Sequence, residues 1–186
     1  MKKNPITIGI DDARFELNAK EKYTPLIGVV CQGLRVVNVL REKVTIDGND
    51  ATNALIKLIR KTDKLVQYVL TDTITFAGFN IADLQEVYKT TKKPIIAITE
   101  REVNLDTVKI ALQKKFPKKY KNKFQNIVNA GNLYQTSIKT AGGLSNVYFH
   151  MIGIPISEVE ELLKILCIDS KMPEPIRIAH IIGRIF

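Results

Sequence analysis

Two apolar runs, LVQYVLTD (residues 65–72) and PIIAIT (94–99), flank a segment with helical spacing over roughly 80–90. Strands joined through a helix pair in parallel, by a right-handed crossover, because no tight turn can bring them side by side in that sense. Upstream, alternation and β-branched content predict a strand around residues 6–11. LIGVVCQ (26–32) and LRVVNVLREKVTI (34–46) follow, joined by a tight turn at Gln32-Gly33, which is an antiparallel meander. The segment ATNALIKLIRK has apolar residues at 51, 54, 55, 58 and 59, a helical spacing with Asn49 or Asp50 as N-cap.

Another helix begins near Asn104, with Leu105, Val108, Ala111 and Leu112 on one face. Beyond Phe124, short strands near 133–139 and 145–151 are separated by Gly142-Gly143. ISEVEELLKILCI (156–168) is an amphipathic helix in which Ser157 and Glu160 have capping-box spacing. PEPIRIAHIIGRIF supplies a last helix with Pro175 in its first turn. The expected fold class is α/β: a mixed sheet, antiparallel meander plus parallel strands, flanked by helices in one domain over residues 1–186.

No apolar run is long enough to span a bilayer, and the apolar core of MKKNPITIGI is too short for a signal peptide. The expectation is a cytoplasmic protein with no membrane partner. Cys31 and Cys167 sit in apolar runs without zinc-type spacing and read as small buried hydrophobes. A formal net charge of +9 favours a polyanionic partner.

Four carboxylates stand at the ends of elements. Asp11 ends the first strand, in IGIDDARF; Asp50 opens the first helix; Asp72 ends LVQYVLTD; Glu100 follows PIIAIT. In open sheets, ligands collect at the carboxyl ends of parallel strands. Hard oxygen ligands suit Mg2+ or Mn2+, and two such ions clamp the attacking and leaving oxygens of a phosphodiester. A basic exterior collects nucleic acid, and an acidic pocket then needs cations before phosphate can enter. Because side chains alternate along a strand, only one of Asp11 and Asp12 can serve as a direct ligand if the strand is regular. A solvated turn after a strand is the plain alternative.

KKFPKKYKNKF (114–124) packs six lysines, Lys114, Lys115, Lys118, Lys119, Lys121 and Lys123, around Phe116, Tyr120 and Phe124. It reads as a phosphate-binding patch, or as a helix whose aromatics anchor it and whose lysines form the wet face, with Pro117 a break point. TITFAGFN (73–80) follows Asp72 and offers Phe76, Gly78 and Phe79 to a base pocket, or forms a plain strand-to-helix loop. Gly142 and Gly143 either admit an extruded nucleotide or make a simple turn. His150 and His180, taken alone, each read as packed or hydrogen-bonded residues.

In order along the chain, IGIDDARF resembles the G-x-D strand of endonuclease V. The stretch VLTDTITFAGFNIADLQEVYKTTKKPIIAIT resembles its strand, helix and strand around the second catalytic aspartate. HMIGIPISEVEELLKIL resembles its late glycine turn and helix, and PEPIRIAH its terminal P-E-P-x-R-x-A-[DH] signature. The likeness is nearest to an archaeal endonuclease V-like family called endonuclease dU. That resemblance implies an RNase H-like fold and metal-dependent nicking of strands that contain a deaminated base. It assigns metal ligation to Asp11, Asp50, Asp72 and His180, with Mg2+ or Mn2+ as cofactor.

Three departures from the endonuclease V pattern stand out. Glu100 replaces a lysine, and a glutamate there could bind metal or act as a base. KVTIDGND occupies the place of the aromatic-proline wedge. Ile154 replaces the histidine of the glycine turn. These changes shift the expectation from hypoxanthine towards uracil in DNA, as part of DNA repair. A deoxyinosine- or inosine-specific nuclease acting on DNA or RNA, and a non-catalytic nucleic-acid-binding module, are the alternatives. Oligomeric state is open, since apolar helix faces serve a core or a dimer equally.

Overall fold

A computed structural model describes residues 4–16, 21–62, 65–99 and 104–186. Its centre is a seven-stranded sheet. β1 (Ile6–Asp12), β2 (Tyr23–Gln32) and β3 (Arg35–Thr45) form the antiparallel meander. β4 (Tyr68–Asp72) and β7 (Ile95–Thr99) are the parallel strands, while β8 (Tyr134–Thr140) and β9 (Gly143–Ile152) form a closing hairpin. The spatial order is β3-β2-β1-β4-β7-β9-β8. β1 lies parallel to β4, β4 parallel to β7, and β9 antiparallel to β7. The expected meander and parallel unit are therefore both present, meeting at the β1–β4 seam.

Period-two alternation feeds two cores. Ile8, Ile10, Val69 and Ala97 face one side and pack with α1 (Ala51–Arg60), α2 (Leu84–Thr91), α3 (Leu105–Lys115) and α4 (Tyr120–Asn129). Leu70, Ile96 and Ile98 face the other, against α5 (Ile156–Leu166) and α6 (Glu174–Gly183). Ala179 of α6 also packs on Ile27 and Val29 of β2.

Two local expectations are corrected and one break point is as expected. Residues 80 and 81 are not helical: Asn80–Ile81 forms β6 and pairs with β5 (Thr75–Phe76), and α2 starts only after Asp83, whose side chain caps Glu86 N–H. The lysine-rich segment breaks at Pro117 as expected: α3 ends at Lys115, with Phe116 as its C-cap, and α4 starts at Tyr120. Ser157 lies inside α5, whose N-cap is Pro155 with no side-chain cap, so the capping box does not form.

Candidate active site

The register Ile10↔Thr71 makes Asp11 and Asp72 side-by-side termini of neighbouring parallel strands. Asp11 shares its strand face with Gly9, and Asp72 shares its face with Leu70. α6 crosses that face closely. A Cβ on Gly9 would stand 2.2 Å from the Pro175 carbonyl carbon, and one on Gly183 would stand 3.0 Å from Ala13 Cα. Glycine at both points lets the helix backbone settle on β1. One turn before Gly183, His180 then reaches the strand end, with Nδ1 2.7 Å from Asp11 Oδ2.

Single ligand atoms of Asp11, Asp72 and His180 all lie within 4.8 Å of one another. They line a cavity of about 590 Å³ together with Asp12, Arg14 and Arg184. Asp11 is only 4% exposed. Burial pushes its pKa above the ordinary value, against the opposing hydrogen bond and charge of His180. Two carboxylates and one imidazole converging from three elements form a donor set that a divalent cation satisfies, because the ion offsets the cost of placing carboxylates together out of water.

The other sequence-predicted residues are distributed differently. Asp50 stands at the N-cap of α1 but is not part of the cluster. Its oxygens accept from Thr45 N (3.1 Å), Thr45 Oγ1 (2.7 Å) and Asn80 Nδ2 (2.6 Å). Burial alone would raise its pKa, but these bonds outweigh it and hold the carboxyl below the usual range. Glu100 lies outside the described residues. Lys114, Lys118, Lys119 and Lys121 are exposed, and exposed Lys115 pairs with Asp47 at 2.8 Å. Lys123 is 2% exposed and turned inward, so it cannot meet a phosphate from solvent. Phe76 is 1% exposed, a core side chain rather than a stacking platform. The Gly142-Gly143 turn borders a separate open depression with Asp169, Ser170 and Lys171.

A second recess begins at Thr73, the residue after Asp72. It encloses about 610 Å³ between the β5–β6 hairpin, β7, β9 and the α3–α4 layer, with Thr75, Phe79, Ala97, Thr99 and His150 among its walls. His150 Nδ1 lies 3.1 Å from Asn132 O, and burial lowers its pKa. Gly78, at φ +84, lets the hairpin turn tightly next to Phe79.

Three residues at these sites, Arg14, Arg184 and Asp47, escaped the reading of the sequence. Arg14 and Arg184 line the metal-type cavity as isolated basic residues in IGIDDARF and IIGRIF, with no motif to mark them. Asp12, the second aspartate of the doublet, accepts a hydrogen bond from Ala77 N–H in the β5–β6 turn. Burial raises its pKa to about 6, opposed by that hydrogen bond. Asp47 accepts from Phe79 N–H at 2.9 Å. Only the Asp47-Gly48 turn chemistry hinted at a fixed bend there.

The fold is RNase H-like. Endonuclease V of Ciona intestinalis, solved in complex with a 24mer DNA containing an inosine followed by a ribo-adenosine, shares it at a TM-score of 0.59. Identity to that protein is 13%, over 95% of this chain and 83% of that one, so the likeness is one of fold. A protein of unknown function from Archaeoglobus fulgidus matches at a TM-score of 0.82 and 29% identity over 96% of both chains. A UPF0215 protein of Nanoarchaeum equitans is 38% identical, over 99% of this chain and 89% of that protein. The model of the Endonuclease dU family matches residues 5–186. The chain belongs to that family, and is an endonuclease by that membership. Among the described residues, no helix is long and apolar enough to cross a membrane.

Proposed function

We propose that this protein is a divalent-metal-dependent DNA endonuclease that nicks strands containing a deaminated base, preferably deoxyuridine, in DNA repair. The observation that carries the reading is the convergence of Asp11, Asp72 and His180 within 4.8 Å at the carboxyl ends of β1 and β4. Those three residues would hold Mg2+ or Mn2+, which when bound supplies charge neutralisation and Lewis-acid polarisation of the phosphodiester.

The chain's own residues divide the remaining work. His180 fixes the orientation of the Asp11 carboxylate through their 2.7 Å contact. Arg14 and Arg184 line the cavity, and arginine is the side chain best suited to forked contacts with phosphate oxygens. The exposed lysines of α3, α4 and their connection hold the flanking backbone by charge.

The neighbouring recess suits a base turned out of the stack. Its 610 Å³ lies in the range of small-ligand pockets. Thr73, the residue after Asp72, is part of its lining, which keeps lesion and scissile phosphate close. Uracil and hypoxanthine both present a carbonyl where cytosine and adenine carry an amino group, so donors at such a site select deaminated bases. Family membership supports uracil over hypoxanthine.

The test is a set of oligonucleotides carrying one uracil, one hypoxanthine or only normal bases, as DNA and as RNA, with Mg2+, Mn2+ or EDTA. Ion-dependent nicking of the uracil DNA strand above all others is expected. Cutting that ignores the lesion refutes the specificity, and no cutting even with Mn2+ refutes the activity. A strand preference for inosine-containing RNA would move the assignment to the ribonuclease alternative.

A further inference from the structure

Asp47, Thr73 and Ala77 have left-handed backbone, with φ of +54°, +57° and +45°. Among the described residues only Lys92, at a helix end, is another non-glycine of this kind. Left-handed backbone at residues with a Cβ persists where surrounding contacts over-determine it, and it concentrates at functional sites. All three lie at the β5–β6 hairpin, which lines the recess: Thr73 leads into it, Ala77 is in its turn, and the turn at Asp47 buttresses it.

The contacts that hold this wall converge on Phe79. Its N–H donates to Asp47 Oδ1 at 2.9 Å, and its carbonyl accepts from Lys123 Nζ at 2.6 Å. Lys123 also reaches the carbonyls of Gly48 (2.5 Å) and Asp47 (3.4 Å). The Asp47 N–H closes the frame on Ala77 O at 2.8 Å. Around the ring, Phe116 packs edge-on at 5.8 Å, and the Lys115 ammonium stands 4.9 Å from the centroid while pairing with Asp47. Burying an ammonium is costly unless fixed acceptors surround it, and here three backbone carbonyls do. That expense secures geometry: both backbone polar groups of Phe79 are immobilised, and its ring is one wall of the recess.

We infer that Asp47 and Lys123 are positioning residues for lesion discrimination, acting by fixing Phe79 as the aromatic wall against which the extruded base stacks. The inference rests on the reading of the recess as the base site. It assigns Lys123 a task different from that of its exposed lysine neighbours, and it gives Asp47 a role that does not involve the ion.

Asp47→Gly tests it, because glycine accepts the left-handed backbone and removes only the side chain. Asp47→Asn is the conservative partner, since asparagine also tolerates that backbone and keeps an oxygen for Phe79 N–H. With Mg2+, Asp47→Gly is expected to lower kcat/KM on the uracil strand by about 10- to 100-fold, the scale of a misplaced binding group. The loss should lie chiefly in KM, while calorimetric Mn2+ affinity stays at the wild-type value. Asp47→Asn should retain most of the uracil preference. Lys123→Met should follow Asp47→Gly; if it fails to fold, the Asp47 pair still decides. Preference retained in Asp47→Gly, or lost equally in Asp47→Asn, overturns the inference, even if Tm falls. A wild-type protein with no preference for uracil would instead overturn the base-site reading, and the inference with it.

Discussion

His180 Nδ1 and Asp11 Oδ2 are 2.7 Å apart although 169 residues separate them in sequence. The contact joins the last helix to the first strand, and it links a half-exposed imidazole to a nearly buried carboxylate, with side-chain exposures of 51% and 6%. A ligand carboxylate held by a second group has its orientation chosen before the cation arrives.

Replacing His180 by Ala removes both a donor and the brace on Asp11. Mn2+ affinity measured by calorimetry should fall by about 10- to 100-fold, the usual effect of losing such a partner. The circular dichroism spectrum should stay native, because His180 lies at the surface and the underlying α6 contacts are apolar. Unchanged affinity would remove His180 from the site.

Asp50 carries a different expectation. Its folded pKa is held below its ordinary value of 3.8. A carboxyl lowered on folding adds stability at pH above the unfolded pKa and loses it as pH falls through the folded value. Asp50→Asn should therefore flatten the acid limb of a stability–pH curve below about pH 3.8, lower stability at neutral pH, and leave Mn2+ affinity unchanged. A large drop in Mn2+ affinity would restore Asp50 to the ligand set.

The contrast between these two residues shows what could be read from the chain. Asp11 and Asp72 were legible because strand alternation and parallel pairing together dictate where strand-end side chains point. His180 became legible only through the PEPIRIAH signature, since no local pattern says which strand a distant helix will cross. Asp50 was correctly placed at a helix start, yet a helix start does not determine which way a carboxylate turns. Here Thr45 and Asn80 captured it. Lys123 looked like its neighbours because burial of a single lysine depends on the carbonyls that α4 happens to meet. The β5–β6 hairpin was hidden because each of its strands has two residues, too short for any period.

Exposed lysines provide a third expectation. Replacing Lys114, Lys118 and Lys119 together by Ala should make the plot of log affinity for duplex DNA against log salt shallower. The slope changes by about 0.9 for each phosphate that a lysine no longer neutralises. An unchanged slope would exclude this patch from the DNA path.

Gly9→Ala tests the packing that carries His180 to Asp11. The added methyl meets the backbone of Pro175 and Ile176 at 2.2 and 2.4 Å, and backbone cannot rotate aside. A loss of about 3 kcal/mol is expected, the upper end of overpacking penalties, together with weaker Mn2+ binding as α6 lifts from β1. Denaturant unfolding and calorimetry report the two effects; wild-type values in both would contradict the close approach.

Anomalous diffraction at the manganese edge, on crystals grown with Mn2+, tests the central claim most directly. The expected result is a peak within coordination distance of Asp11 and Asp72 and next to His180, lost in crystals of Asp72→Asn. A peak elsewhere, or none at saturating Mn2+, would contradict the assignment of this site as the seat of phosphodiester cleavage.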